Sequence, residues 1–509
     1  MILTTLLTSF SETSQLVWNL VIGLIVFFII TYVIPAIKKI SSLPPGPWGL
    51  PFVGYLPFIG KTDQYKDINR LAKKYGPVYS VRLGKFDLIV VSDWKHVKES
   101  FANDDLLYRP ENFSSNPKSP SLLEMSGDSW KAHRRLSLHI LRDVGMGKSQ
   151  LEMKVKQEIE NFLPTLNSGP IDLFPKLMST VANNISNLLM GHGLEYDDPI
   201  SEKLNNVLLT LGESSSLFHV FSGSVPKLVK DNPLESESKL PKILKSLAEF
   251  ANYMEKEIEI HKSRGRRSQI FEDYIGGYLV EQEKSEKSKS TDGIQFNLET
   301  LRQNLVTFYS AGTETISSTL TWAILYLLKY PEYFDKIREE IEKVIGYERQ
   351  PDYSDRIHMP WTMSFIYETH RIAALVPVNL FRRAAQDTNI GNYHVPKDSL
   401  VMFNFYALNR DPLLWVNPEQ FDPKRFLAEH ETKAVKPPFL VPFSGGRRNC
   451  PGEGLANVEL FLYLVSIVQK YRIRLAPGST ISLETGYTTL RRPKNMPKLL
   501  FEPLDQQKD

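Results

Sequence analysis

Residues 443–452 read Phe443-Ser444-Gly445-Gly446-Arg447-Arg448-Asn449-Cys450-Pro451-Gly452, and the chain then enters ANVELFLYLVSIVQKY, an apolar-periodic helix. Cys450, the sole cysteine of 509 residues, therefore sits just before a helix N-terminus. Unpaired backbone N–H groups and the positive end of the helix dipole favour a thiolate there, the form a metal binds. Gly446 and Gly452 permit tight turns beside a flat ligand, and Arg447 and Arg448 add positive charge. A lone cysteine is by default a small buried hydrophobe. The glycine–arginine surroundings argue for ligation instead. One cysteine also excludes an intrachain disulfide and any thiolate-rich zinc or iron–sulfur centre.

Working outward, Lys+Arg 61 against Asp+Glu 58 gives a net charge of +3, too small an excess for a nucleic-acid binder. Hydrophobic residues at 42% and charged residues at 23% are ordinary globular values, excluding a disordered, collagen-like or polytopic membrane chain. One segment departs from this. Residues 16–34 carry no charge, and as a helix they would span roughly 28 Å, enough for a bilayer core. Lys38 and Lys39 follow directly, so the positive-inside rule leaves the N-terminus luminal and the body cytoplasmic. A cleaved signal peptide fits less well, for want of a basic n-region and a small-residue cleavage site. The expected organisation is a short luminal N-terminus over 1–15, a signal-anchor over 16–34, a basic and proline-rich hinge over 35–51, and one catalytic domain over 52–509. The prolines of Leu43-Pro44-Pro45-Gly46-Pro47 predict an extended, semi-rigid hinge.

The body reads as mainly α with minor β. Residues 78–92 predict a hairpin turning at Gly84, or two sheet strands. Three-to-four spacing of apolar residues predicts helices near 93–102, 128–142, 150–165, 170–190, 240–285, 298–330, 331–346, 361–374 and 451–470. Short strands are expected near 383–402 and in the last 40 residues, and the charged run EQEKSEKSKSTDG over 281–293 predicts a solvated loop. Within 298–330, Ser310-Ala311-Gly312-Thr313-Glu314-Thr315 are mediocre helix formers with one poor one, predicting a local interruption.

The cysteine segment resembles the haem-thiolate signature of the cytochrome P450 superfamily, Phe-x-x-Gly-x-Arg-x-Cys-x-Gly, at Phe443, Gly446, Arg448, Cys450 and Gly452. The resemblance implies the cytochrome P450 fold, haem b (iron protoporphyrin IX), Cys450 as the metal's axial ligand, Arg448 as a propionate partner and Phe443 packed near the sulfur. A thiolate ligand favours oxygen activation over reversible oxygen binding. Three further motifs match in order. Glu368 and Arg371 of YETHR, with Arg425 of FDPKRF, resemble the family's buried structural network around the cysteine loop. Trp130 and Arg134 of WKAHRR resemble its propionate-contacting helix, and Arg382 falls where the family places a histidine or arginine with the same duty. The run at 311–315 resembles Ala-Gly-x-Glu-Thr, in which Gly312 admits dioxygen beside Ala311 while Glu314 and Thr315 relay protons.

The likeness is closest to the animal microsomal family-2-like group, especially its arthropod members. It implies a monooxygenase inserting one oxygen atom from O2 into a lipophilic xenobiotic, steroid or terpenoid. Electrons would come from NADPH through NADPH-cytochrome P450 reductase, with cytochrome b5 as an additional donor, at the endoplasmic reticulum membrane. Lys131, His133, Arg135, Arg142 and Arg447 would form the basic face that receives the reductase. The pocket would draw on Leu122, Leu123, Phe218, Phe221, Phe308, Val376 and Leu490. The alternatives are a non-oxygenating haem-thiolate isomerase or dehydratase, and a catalytically silent membrane-anchored haem-binding protein. Intact Glu314 and Thr315 speak against both.

Overall fold

The computed structural model describes residues 17–27, 30–31, 42–50, 52–60, 63–111, 118–146, 149–194, 196, 198–214, 240–264, 271–288, 294–486 and 490–504. The helices are α1 (Gln64–Tyr75), α2 (Trp94–Ala102), α3 (Gly127–Asp143), α4 (Ser149–Phe162), α5 (Leu173–Met190), α6 (Pro199–Ser214), α7 (Leu240–Arg264), α8 (Tyr274–Ser288), α9 (Leu298–Lys329), α10 (Pro331–Val344), α11 (Pro360–Ala373), α12 (Phe405–Leu408) and α13 (Glu453–Lys470). The strands are β1 (Val78–Leu83), β2 (Phe86–Val91), β3 (Arg382–Arg383), β4 (Thr388–Ile390), β5 (Tyr393–Val395), β6 (Leu400–Phe403), β7 (Tyr471–Leu475) and β8 (Leu499–Pro503).

Two helices organise the core because both are apolar nearly all round. In α9 the Asn297 side chain caps the first turn by accepting from the Thr300 N–H, and residues 316–327 are buried. In α13 every residue from Val458 to Gln469 is buried. The two pack against each other with α5 and α4 on one side and α11 and α10 on the other. The main sheet has the order β1-β2-β6-β3. β1 and β2 form the expected hairpin, with Val78 opposite Val91 and Gly84 at φ 59° in the turn. β6 lies parallel to β2, and β3 pairs antiparallel with β6, which carries Arg382 in from the sheet edge.

Several expectations need correction. The run Ser310–Thr315 does not interrupt α9. The Ser310 and Thr315 hydroxyls donate to the carbonyls of Val306 (2.7 Å) and Ala311 (2.8 Å), so their competing hydrogen bonds are absorbed within the helix. The charged stretch from 281 continues α8 to Ser288, held by spaced pairs such as Lys284–Glu281 (3.5 Å) and Lys287–Glu283 (2.5 Å). The predicted helix over 240–285 is two described helices, α7 and α8. His133 is not part of an exposed basic face. It is 1% exposed, its ring 4.6 Å from that of Phe296. Among the described residues no helix is long and apolar enough to cross a membrane. Of the expected anchor, residues 17–27 and 30–31 are described; 17–27 are helical, and their large apolar side chains are exposed, as is Ile30.

Candidate active site

A cavity of about 360 Å³ lies between α9 and the cysteine loop. The loop is closed by two backbone hydrogen bonds, Cys450 N–H to Phe443 O at 2.9 Å and Asn449 N–H to Gly446 O at 3.1 Å. Gly446 is obligatory here. Its φ is +69°, and a Cβ would run into the Phe101 carbonyl oxygen. Cys450 and Phe443 both line the cavity, and the thiol is exposed toward it. Burial within the surrounding protein pushes the thiol pKa up, while the Gly452 N–H, the Arg134 guanidinium and the Glu453 N–H pull it down and the Glu453 carboxylate opposes them. The helix N-terminus acts in the expected direction but is outweighed by desolvation, so thiolate formation is left to a bound metal.

Among the described residues four guanidiniums line the same cavity, and no carboxylate does. Arg448 donates to Leu107 O (2.8 Å) and Met125 O (2.6 Å) and stacks 3.7 Å over Trp130. Arg134 donates to Asn449 O (3.0 Å) and Oδ1 (2.6 Å). Arg382 reaches Gly445 O at 3.4 Å and leaves its buried Nη1 without a partner among the described residues. Arg109 donates to Leu380 O and Phe381 O, both at 2.7 Å. Burial, with mutual repulsion from Arg109, Arg382 and Arg134, pushes Arg448 down to about 8. A guanidinium does not give up its proton, so this positive charge has to be met by an anion. Gly452 completes the cradle, because a Cβ there would meet only Cys450 Sγ, at 3.9 Å, leaving space beside the thiol. A planar macrocycle bearing two carboxylates and a thiolate-seeking metal fits this set.

Arg109 was not singled out from the sequence. An arginine before a proline carries no distinctive signal, and only the fold brings it beside residues 380–381.

On the opposite wall, α9 presents Ala311, Gly312 and Thr315. Glu314 does not line the cavity. Neighbouring helical positions face about 100° apart, and its carboxylate turns toward Arg492 Nε at 3.5 Å. Burial pushes the Glu314 carboxyl up and Arg492 pulls it back. At Gly312 a Cβ would lie 2.6 Å from Ile185 Cδ1, so the glycine serves the close approach of α9 to α5. Leu122, Leu123, Phe308 and Val376 line the cavity and Leu490 does not, while Phe218 and Phe221 lie outside the described residues.

Beneath the loop, Glu368 and Arg371 are fully buried. Glu368 receives Arg371 Nε and Nη2 (2.7 Å each), the Asp422 N–H (2.7 Å) and Arg425 Nε (3.2 Å). The arginines also satisfy the carbonyls of Asn409, Val416, Pro418 and Gln420, tying α11 to the segment over 409–425. Between Glu368 and Arg371 on α11, His370 sets its ring 5.5 Å from Phe443, edge to face, which connects this helix to the cysteine loop.

The cytochrome P450 family model matches residues 44–501. Human cytochrome P450 2J2 is 32% identical over 464 residues, covering 88% of this chain and 89% of that protein. Cytochrome P450 18a1 of Drosophila melanogaster is 32% identical over 458 residues (87% and 84%), and rat cytochrome P450 2C70 is 34% identical over 446 (85% and 88%). With this match across the body, the mainly helical fold with small sheets, and a lone cysteine facing an arginine cradle, the chain belongs to the cytochrome P450 family and is a haem b-dependent monooxygenase.

Proposed function

We propose that this monooxygenase oxidises a lipophilic substrate, with electrons delivered from NADPH by NADPH-cytochrome P450 reductase and additionally by cytochrome b5, while anchored in the endoplasmic reticulum membrane by residues 16–34. The reading rests chiefly on one arrangement: Cys450 and its arginines on one wall of a cavity, and the Thr315 hydroxyl on the other. Bound between them, haem b supplies the redox and oxygen chemistry.

The chain's own residues do the rest. Cys450 would hold the haem iron through its thiolate sulfur. Arg448, Arg134, Arg382 and Arg109 would meet the charge of its carboxylates, with Trp130 as the platform under Arg448. Thr315 holds a proton-bearing hydroxyl at the reaction face, its own O–H anchored on Ala311 O at 2.8 Å. Glu314, behind that wall and biased by burial toward its protonated form, is the proton source. Leu122, Leu123, Phe308 and Val376 exclude water and grip an apolar body. The exposed apolar side chains over 17–27, with exposed Trp48, Leu50, Phe52 and Phe58 by the hinge, support membrane attachment.

Thr315→Ala tests the reading. The organic product formed per NADPH consumed, measured with reductase and a confirmed substrate, should fall while NADPH oxidation continues and peroxide rises. An unaltered ratio would remove Thr315 from the chemistry and favour the non-oxygenating alternative.

A further inference from the structure

Away from the cavity, four ionisable side chains join the turn after α5, the C-terminal half of α7 and the start of α8. His261 of α7 sets Nδ1 2.7 Å from the Glu257 carbonyl oxygen and Nε2 3.1 Å from Asp273 Oδ2. His192, in the turn after α5, repeats the pattern, with Nδ1 3.1 Å from Gly193 O and Nε2 3.1 Å from Glu257 Oε2. Carbonyl and carboxylate oxygens accept and do not donate. A neutral imidazole offers one N–H and turns a lone pair outward at its other nitrogen, so each ring satisfies both partners only as the imidazolium. At His261 the demand is strict, because its side chain is 7% exposed and that of Asp273 8%.

Three elements meet at Asp273. Its Oδ1 accepts the Gly276 N–H at 2.7 Å and so caps the first turn of α8. Gly191, just past α5 at φ +79°, lies so close that a Cβ would stand 2.9 Å from Asp273 Oδ2. Earlier on α7, the Phe250 ring packs edge to face at 5.2 Å on Tyr309 of α9, next to the cavity-lining Phe308. Glu257 and Arg264 face the histidines from α7, and Tyr253 of α7 bonds Glu257 in turn. Asp198, ahead of α6, and Tyr309 of α9 act on Tyr253. From α3, His139 lies against Phe271 and pairs with Asp143 at 3.4 Å, outside this set.

We propose that His261 is a proton-operated clamp, which as the imidazolium ties the C-terminal half of α7 to the start of α8 and on losing its proton lets the two part. His192, 41% exposed, is the weaker second clamp between α7 and the end of α5. Burial and Arg264 pull the His261 pKa down, but Asp273 and the Glu257 carbonyl oxygen outweigh them and raise it above the ordinary 6.5. The bond to Glu257 raises His192 likewise, against burial and Arg264. The folded chain therefore keeps protons that the unfolded chain gives up near 6.5. The stability of the clamp is fully present below pH 6.5 and is lost as pH rises through the raised value.

The test is hydrogen exchange of the haem-loaded full chain, read by mass spectrometry on peptides from the end of α7 and the start of α8 between pH 6 and pH 9, after correction for the intrinsic rise of exchange with pH. Protection of both peptides in wild type should fall roughly tenfold or more across this range, the worth of one charge-assisted hydrogen bond, while α13 keeps its protection. His261→Gln should be poorly protected at pH 6 and fall no further. His261→Lys, charged throughout the range, should hold its protection to pH 9, and His192→Gln should retain most of the wild-type fall. Wild-type protection that does not fall, or a fall of wild-type size in His261→Gln or in His261→Lys, would overturn the proposal. Loss of the thiolate Soret band in step with protection would also overturn it, by assigning the change to the haem site.

Discussion

Replacing Glu368 by Gln is the most informative test of how the cysteine loop is held. Burial pushes this carboxyl above its ordinary value, and the four donors that converge on its two oxygens, from Arg371, Arg425 and the Asp422 N–H, pull it back only in part, while the bidentate 2.7 Å pair with Arg371 is that of a carboxylate. Glutamine keeps the shape and removes the charge, and its amide N–H groups must face one of those donors. Arg371, 0% exposed, is then a buried cation without its counter-ion. Breaking one partner of such a pair costs about 3–5 kcal/mol, a large part of the roughly 5–15 kcal/mol that holds a domain folded. Arg425→Ala supplies the internal scale. It deletes the longer 3.2 Å contact to Glu368, with the bonds to Val416 O and Gln420 O, and leaves the bidentate pair intact, so it should cost about 1–2 kcal/mol. The assay is the denaturant midpoint at which the haem-loaded full chain loses its thiolate Soret band. A large cofactor protein does not unfold in two states, so the order of midpoints decides rather than an extrapolated free energy. The expected order is wild type, then Arg425→Ala, then Glu368→Gln. A Glu368→Gln midpoint at or above that of Arg425→Ala would show that the network does not secure the loop in this way.

Gly312→Ala should destabilise the chain by about 1–3 kcal/mol through overpacking against Ile185, and Ile185→Val, which removes the Cδ1 atom 2.6 Å from the new methyl, should recover most of the loss in thermal midpoint. His133 is pushed down to about 4, chiefly by burial, so the folded state refuses a proton that the unfolded chain accepts near 6.5. Stability is thus lost as pH falls below 6.5, by roughly 2 kcal/mol at pH 5, and the difference in stability between wild type and His133→Gln should shift by that amount between pH 7 and pH 5. Deleting residues 1–40 should abolish resistance to alkaline carbonate extraction, some peripheral association persisting through Trp48, Leu50 and Phe58; continued resistance would reveal a second insertion element.

What the sequence disclosed and what it hid follow one physical rule. The cysteine loop was legible because its geometry is local: a thiol before a helix, a glycine at positive φ and arginines a few residues away are all written within ten positions. The Glu368–Arg371 pair was legible for the same reason, being one turn apart on α11. Arg109 was not, since its carbonyl partners at 380 and 381 are some 270 residues distant. The close approach of Gly312 to Ile185 was not legible, because that side chain lies on another helix. Glu314 and Thr315 are adjacent in sequence and so invite pairing, yet helical rotation sends one toward Arg492 and the other into the cavity. The charged run after 281 misled through composition, because spaced charges that suit a loop equally suit the exposed face of a helix.

The central claim is that Cys450 is the sulfur that ligates the haem iron. The direct measurement is the absorption spectrum of the reduced carbon monoxide complex, recorded for wild type and Cys450→Ser at equal haem content. Wild type should show the red-shifted Soret band of thiolate ligation, and Cys450→Ser should lose it while its far-ultraviolet circular dichroism stays helical. A wild type without the band, or a Cys450→Ser variant that keeps it, would contradict the assignment.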